Sequence, residues 1–153
     1  MTVRTGELAG LELDVTTVFV VENEVTYLAF PDVPRAAVVF GSGFASKGLA
    51  AVPWLANPEI VYWGDIDTHG FDILSRLRGS LPKVRSILMD REILLSHRLQ
   101  WVTEPSPTRR PLAHLTDAEQ SLYQDLVADR YGIGVRLEQE RVLYSRVYDA
   151  LEP

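Results

Sequence analysis

The sequence has 153 residues, an apolar fraction of 46% and no cysteine, so it is long enough to bury a core but cannot form a disulfide framework or a thiolate metal site. Its formal net charge of -6 argues against a protein that binds nucleic acid over its whole surface. The same charge is compatible with an enzyme that contacts phosphate through a bound cation. No apolar run approaches the roughly 18 residues of a membrane span, and the first ten residues lack a signal-peptide centre, so we expect a soluble cytoplasmic protein without a membrane partner.

The first half of the chain alternates between apolar strands and short helices. Residues Thr16 to Asn23 (TTVFVVEN) are β-branched and apolar, which indicates a buried strand. Asn23 is placed to cap a helix over EVTYLAF, which Pro31 and Pro34 end. A second apolar strand over RAAVVFGSG breaks into glycines, and FASKGLAAVPWLA then predicts a helix that ends near Pro53.

Two further strand and helix units follow. PEIVYWGDID predicts a third strand, and Thr68 is placed to cap a helix over HGFDILSRLRGSL. KVRSILMD predicts a fourth strand, followed by a helix over REILLSHRLQW. Four apolar strands that alternate with helices predict an α/β fold, a four-stranded parallel sheet flanked by helices on both faces.

The last third of the chain is predicted to be helical. After the Pro-rich connection TEPSPTRRP, Thr116 and Glu119 form a capping box for a helix over TDAEQSLYQDLVADRYG. LEQERVLYSRVYDAL predicts one more helix. We therefore expect one domain over residues 1–153, with a core at about 16–100 and a C-terminal helical extension at about 112–151.

Three carboxylates lie where predicted strands end. Glu22 ends strand one, Asp65 ends strand three, and Asp67 lies just past it. If these strands are adjacent, the carboxylates converge at the ligand-binding edge of the sheet, and an oxygen cluster of this kind suits Mg²⁺ or Mn²⁺. In the simpler alternative, Asp65 and Asp67 only cap the following helix.

Two other phosphate motifs fail on inspection. The segment GSGFASKG (Gly41 to Gly48) has Ser-Lys-Gly where a phosphate-binding P-loop needs Gly-Lys followed by Ser or Thr. Aspartate-nucleophile phosphatases carry Asp-x-Asp-x-Thr on the first strand, whereas this pair follows the third strand and has His69 in place of Thr.

The combination resembles a known family. Glu at the end of a first strand, glycines after the second and DID...G after the third are similar to a Toprim domain, the Mg²⁺-dependent phosphoryl-transfer module of topoisomerases, bacterial primases and several nucleases. VVENEVTYLAF, VVFGSGFA, YWGDIDTHGFDIL and RLEQERVLY resemble the C-terminal Toprim domain of the JetD family (also described as MksG), the nuclease subunit of the Wadjet anti-plasmid defence system. The resemblance extends from about Val18 to Leu151.

The resemblance implies a Mg²⁺- or Mn²⁺-dependent DNA endonuclease that cleaves plasmid DNA presented by an SMC-like complex. Glu22 would act as general acid-base or metal ligand, while Asp65 and Asp67 would hold the metal. The family is related to the A subunit of type IIB topoisomerases, which attack DNA with a winged-helix tyrosine; nothing in this chain matches that domain, so we expect hydrolysis. We also expect further N-terminal domains in a longer protein, which could form a homodimer.

Five more residues are candidates beside these carboxylates. Glu24, His69 and Glu140 could join the metal site, and Lys47 and Arg91 could contact phosphate. For each, an ordinary helix-end or solvated position is the simpler alternative. Other Toprim chemistry, such as RNA cleavage or topoisomerase-like strand passage, and a non-catalytic module that docks partner proteins are the alternative functions.

Overall fold

The computed structural model describes residues 7, 9–11, 13–41 and 46–152, with the side chains of residues 46 and 47 outside that description. The strands are β1 (Thr17–Val21), β2 (Ala36–Phe40), β3 (Glu59–Trp63), β4 (Arg85–Ser86), β5 (Val102–Thr103) and β6 (Val135–Arg136). The α-helices are α1 (Glu24–Leu28), α2 (Ser46–Ala50), α3 (Thr68–Ser80), α4 (Arg91–Ser96), α5 (Asp117–Val127) and α6 (Tyr144–Leu151). Short 3₁₀ helices cover Pro53–Ala56, Arg98–Gln100 and Gln139–Arg141.

The main sheet is parallel, in the order β2-β1-β3-β4. β1 lies between β2 and β3, so that Val20 faces Val39 on one side and Tyr62 on the other. The predicted α/β fold with a four-stranded parallel sheet is confirmed. The first and third strands are adjacent, so the condition for convergence of the carboxylates at their ends is met.

The core lies between the central strands and α3. Val18 and Val61 from the sheet and Phe71 and Leu74 from α3 are all fully buried. Each side chain of this size contributes about 1.5–3 kcal/mol by leaving water. This packing fixes α3 against the strand that precedes it, and so fixes the turn between them.

Two local predictions in the first hundred residues were wrong. Asp67, not Thr68, caps α3, because its side chain accepts a hydrogen bond from the Gly70 amide. The fourth strand covers two residues rather than KVRSILMD. Leu88 adopts a left-handed backbone conformation with φ of 57°, which interrupts the extended chain.

The helix predicted over LEQERVLYSRVYDAL was wrong in its first half. β6 pairs with β5 in an antiparallel ribbon, and Leu137 then forms a bridge with Ile66 through two backbone hydrogen bonds of 2.9 and 3.1 Å. The backbone of this segment is therefore bonded to distant residues, and α6 begins only at Tyr144. No helix in residues 7, 9–11, 13–41 and 46–152 is long and apolar enough to cross a bilayer.

Candidate functional site

Glu22 and Asp65 meet at the carboxyl edge of the sheet. Val21 and Trp63 form the last registered pair of β1 and β3; Glu22 follows the first directly and Asp65 follows the second after one glycine. Burial raises the pKa of Glu22 and the negative charge of Asp65 raises it further, while Arg76 opposes both. The pKa of the Glu22 carboxyl therefore lies above its ordinary value, chiefly because the group is removed from water.

Asp67 is a buried part of the same edge. Its Oδ1 accepts the Gly70 amide at 2.6 Å, so the cap expected in the simpler alternative is formed by this aspartate. Burial raises the pKa of Asp67 to about 6, and the charges of Glu104 and Asp65 add to the effect, against the Gly70 amide and Arg136. Burial first, and the neighbouring negative charges second, therefore outweigh the helix-cap hydrogen bond and raise the pKa of Asp67.

Two glycines let the backbone approach these carboxylates. A Cβ on Gly70 would lie 2.0 Å from the carbonyl oxygen of Asp65, and a Cβ on Gly41 would lie 2.5 Å from Oε1 of Glu22. Both distances are far inside van der Waals contact. The glycine of DID...G thus has a steric reason, and the glycine after β2 leaves room for the Glu22 carboxylate.

Arg136 on β6 is the cation of the site, and the sequence did not predict it. Its Nη2 donates to Oδ2 of Asp65 at 2.6 Å, and its Nε lies 3.1 Å from Oδ2 of Asp67. The Nε–H is buried but is not aligned for a hydrogen bond. Burial lowers the pKa of Arg136, but its bond to Asp65 and the charges of both aspartates outweigh this effect and the pKa is raised.

Gln139 joins the two strand ends. Its side chain is buried, donates to the carbonyl of Trp63 at 3.0 Å and accepts from the amide of Asn23 at 3.1 Å. Its own amide donates to Oδ1 of Asp65 at 2.8 Å. One residue therefore holds the chain just past Glu22 and the chain just before Asp65 at a fixed separation.

Glu104 fills the N-terminus of α3 from the Pro-rich connection. Its carboxylate is buried and accepts from the Thr68 amide at 3.2 Å, the Thr68 hydroxyl at 2.8 Å and the His69 amide at 3.2 Å. The helix end that favours an anion thus holds an internal carboxylate. Its charge also bears on Asp67, because it raises the pKa of that residue.

Tyr62 brings a neutral oxygen to the same region. The residue is fully buried, and its hydroxyl has no hydrogen-bond partner among the described residues. Burial raises its pKa well above the usual value, and the charges of Glu22, Asp65 and Asp67 raise it further. The Tyr62 hydroxyl is therefore a buried polar group that makes no hydrogen bond with the described residues and experiences the charge of three carboxylates.

The remaining candidates lie in varied surroundings. Glu24, in the first turn of α1, and Glu140, in the 3₁₀ helix, are both exposed. The exposed His69 donates from Nε2 to the carbonyl of Ser106 at 2.6 Å. Arg91 donates to Asp125, Tyr131 and Ser121, so its guanidinium is already engaged. The Lys47 side chain and residues 42–45 lie outside the described residues.

The oxygen donors suit a hard divalent cation, but their present arrangement does not form a cage for one. In the described parts of the chain, no three Asp, Glu or His side chains converge in the geometry of a metal site. The guanidinium of Arg136 lies between Asp65 and Asp67, where a bridging cation would neutralise them. Asp65 and Asp67 thus offer oxygen donors of the kind that Mg²⁺ and Mn²⁺ prefer, and Arg136 occupies the position between them.

Comparison with known proteins identifies one relationship. The family model described as the C-terminal part of the Wadjet protein JetD matches residues 1–151. No curated protein matches the chain. The family match covers both strand ends that bear the carboxylates and the segment that bears Arg136 and Gln139.

Proposed function

The chain belongs to the JetD C-terminal family, and on that premise we propose that it is the metal-dependent DNA endonuclease domain of a Wadjet defence system. The observation that carries the proposal is that Glu22 and Asp65 follow the ends of two neighbouring parallel strands, with Asp67 two residues further along the chain. The pKa values of Glu22 and Asp67 are both raised there, and such perturbation is typical of sites that do chemistry.

The residues divide into two tasks in this proposal. Asp65 and Asp67, whose carboxylates are now paired with Arg136, would hold Mg²⁺ or Mn²⁺. When bound, the ion neutralises the scissile phosphate and lowers the pKa of a coordinated water. Glu22, with its raised pKa, accepts the proton of the attacking water at its carboxylate, and the departing oxygen takes a proton from solvent.

Duplex plasmid DNA is the proposed substrate, presented in the cytoplasm by the SMC-like subunits of the system. A chain with net charge -6 offers few phosphate contacts of its own. We therefore expect weak binding, with a dissociation constant no tighter than about 10⁻⁶ M at physiological salt. Partners that hold the DNA at the carboxylate edge would supply the missing affinity.

A non-catalytic Toprim module that docks partner proteins is the second candidate. The observation in its favour is Arg136, which neutralises Asp65 and Asp67 from within and leaves no ready metal cage in the described residues. The proton-accepting Glu22 argues against it, because burying an acid beside Asp65 has a cost that an inert module would have no need to bear.

The test is nicking of supercoiled plasmid in Mn²⁺ by the wild-type chain and by Glu22→Gln, with the SMC-like partners added in a second arm. Glu22→Gln should be slower by at least about a hundredfold. Glu59→Gln, the same change at the exposed opposite end of β3, is the matched control and should nick normally.

Three outcomes decide between the candidates. The absence of Mn²⁺-dependent nicking with partners present, or equal rates for wild type and Glu22→Gln, would contradict the endonuclease. Faster cleavage of RNA than of DNA would favour the ribonuclease alternative. DNA left attached to the polypeptide after denaturation would replace hydrolysis with a topoisomerase-like covalent step.

A further inference from the structure

The backbone and the length of the side chain together bring Arg136 to the two aspartates. The antiparallel bridge between Ile66 and Leu137 sets Arg136 opposite Asp67, and the end of its side chain then reaches Asp65 through Nη2. Val102 pairs with Arg136 from the other side and completes the ribbon. The guanidinium of Arg136 therefore lies beside two carboxylates, those of Asp65 and Asp67, which are separated by a single residue.

The four carboxylate oxygens divide cleanly into two kinds. Oδ1 of Asp65 accepts the Gln139 amide, and Oδ1 of Asp67 accepts the Gly70 amide. Both Oδ2 atoms face Arg136. Backbone amides cannot leave without unfolding the turn, so the two Oδ2 atoms are the ones that a cation from solvent can take over.

The contact between Arg136 and these oxygens is unequal. The bond to Asp65 is short, but the Nε–H beside Asp67 is buried at 3.1 Å without hydrogen-bond alignment. The arginine side chain is 28% exposed, so it has a direct route to solvent. A guanidinium bound well at one end and poorly at the other is easier to displace than one bound at both.

We propose that Arg136 is the internal counter-ion of the Asp65 and Asp67 pair in the metal-free protein, and that a divalent cation must displace it to bind. This inference rests on the metal site of the proposed function and adds a residue that sets its affinity. Arg136 holds the carboxylates in place while the metal is absent, and it sets the concentration of metal at which the site fills. It is a positioning residue in this account.

Mn²⁺ binding to Arg136→Gln tests the competition. Calorimetry should give a dissociation constant about tenfold lower than that of the wild type, because the ion no longer has an internal rival. Without metal the melting temperature of the variant should fall, and Mn²⁺ should raise it by more than it raises that of the wild type. A purely structural role for Arg136 predicts weaker metal binding, not tighter.

Two further variants keep the result interpretable. Arg136→Lys keeps one charge but loses the fork, and should lie between wild type and Arg136→Gln in Mn²⁺ affinity. Arg141→Gln removes another arginine of the same segment, whose partner is Glu138, and should change nothing. If Arg136→Gln fails to fold in every condition, the lysine variant decides.

The failures of the two proposals are distinct. Equal or weaker Mn²⁺ affinity in folded Arg136→Gln or Arg136→Lys, with clear binding by the wild type, would overturn the competition and leave the endonuclease standing. If neither wild type nor variants bind Mn²⁺ at millimolar concentration, the metal site itself is refuted and the competition with it. Binding by the variants but not by the wild type supports the competition.

Discussion

Two sets of buried carboxylates in this chain have opposite electrostatics. At the sheet edge, burial raises the pKa values of Glu22 and Asp67. On α5, burial acts on Glu119 in the same direction, but hydrogen bonds from Arg78, the Thr116 amide and Ser86 outweigh it, and the pKa of Glu119 is lowered. Hydrogen bonds and an ion pair therefore compensate the burial of Glu119 fully, whereas the burial of Glu22 and Asp67 is compensated only in part.

The opposite pKa shifts distinguish an acid that stabilises the fold, Glu119, from the acids of the sheet edge, which are available for chemistry. Arg78 donates twice to Glu119, at 2.6 and 3.0 Å, and the capping box completes the arrangement. One guanidinium serves one carboxylate there, whereas at the edge the single guanidinium of Arg136 serves two. A divalent cation that replaces the arginine of an under-compensated cluster therefore neutralises more charge than the arginine does, whereas a balanced pair gains nothing from such an exchange.

The double variant Asp65→Asn, Asp67→Asn is expected to have the largest effect on metal binding, and so to remove the difference between the two sets of acids. It removes the charges that attract a cation, so Mn²⁺ affinity should fall by at least about a hundredfold while the fold persists. Calorimetric titration of both proteins measures it. Glu119→Gln removes a carboxylate from α5 instead and should bind Mn²⁺ as the wild type does. Unchanged Mn²⁺ affinity in the double variant would show that the metal does not bind at the sheet edge.

Glu119→Ala should have the largest effect on stability. It leaves Arg78 without its partner and removes one half of the capping box, which together cost about 3–5 kcal/mol. Urea unfolding followed by circular dichroism gives the free energy of unfolding. Asp117→Ala, an exposed acid in the first turn of the same helix, should cost about 0.5 kcal/mol; equal losses for the two variants would contradict the distinction.

The two sets should also respond oppositely to pH. The native pKa of Asp67, about 6, exceeds its usual 3.8, so the native state holds a proton that the unfolded chain has lost, and this contribution to stability declines between about pH 4 and 6. The lowered pKa of Glu119 does the reverse: its contribution is present above about pH 4.5 and is lost as the pH falls further.

Asp67→Asn therefore should gain stability relative to wild type as the pH rises from 4 to 7, by about 2–3 kcal/mol in metal-free buffer. Asparagine keeps the helix cap, so the offset at pH 4 should be small. Unfolding free energies at several pH values give the trend. A difference between the two proteins that stays constant with pH would show that Asp67 ionises without cost.

Gln139→Ala is expected to have a smaller effect on stability than Glu119→Ala. It removes two buried hydrogen bonds and leaves the Asn23 amide and the Trp63 carbonyl unpaired, at a cost of about 2 kcal/mol. Because it also loosens the separation of Glu22 and Asp65, Mn²⁺ affinity should drop several-fold. Loss of stability without any change in metal affinity would make Gln139 purely structural.

The first three strands and their parallel direction were predictable because they depend on local apolar patterns. The convergence of Glu22 with Asp65 followed only on the condition that the first and third strands are adjacent, which local patterns do not decide. The capping box of Thr116 and Glu119 was predictable from a local pattern, and the structure confirms it. The fourth strand was overextended because KVRSILMD has strand composition throughout, and composition does not reveal the left-handed turn at Leu88.

The partners of the carboxylates were not predictable from local patterns. Arg136 and Gln139 lie in a stretch with helical spacing, and a bridge to Ile66, 71 positions earlier, overrides that spacing (137 less 66). From the segment RLEQERVLY only Glu140 was named as a candidate for the site. Glu140 is exposed, whereas Arg136 and Gln139 from the same segment contact Asp65. Glu104 lies in a Pro-rich connection that carries no periodic signal.

The most direct test of the central claim is the location of bound Mn²⁺, measured as paramagnetic broadening of backbone amide signals in the NMR spectrum. α3 runs from the edge toward Arg78, and its 13 residues span about 18 Å, so it provides an internal scale. The account predicts that the signals of Ile66, Thr68 and Gly70 disappear first, that broadening declines along α3, and that the amides of Thr116 and Glu119 persist. Broadening centred on α5, or spread evenly over both regions, would contradict a metal site at the carboxylate edge.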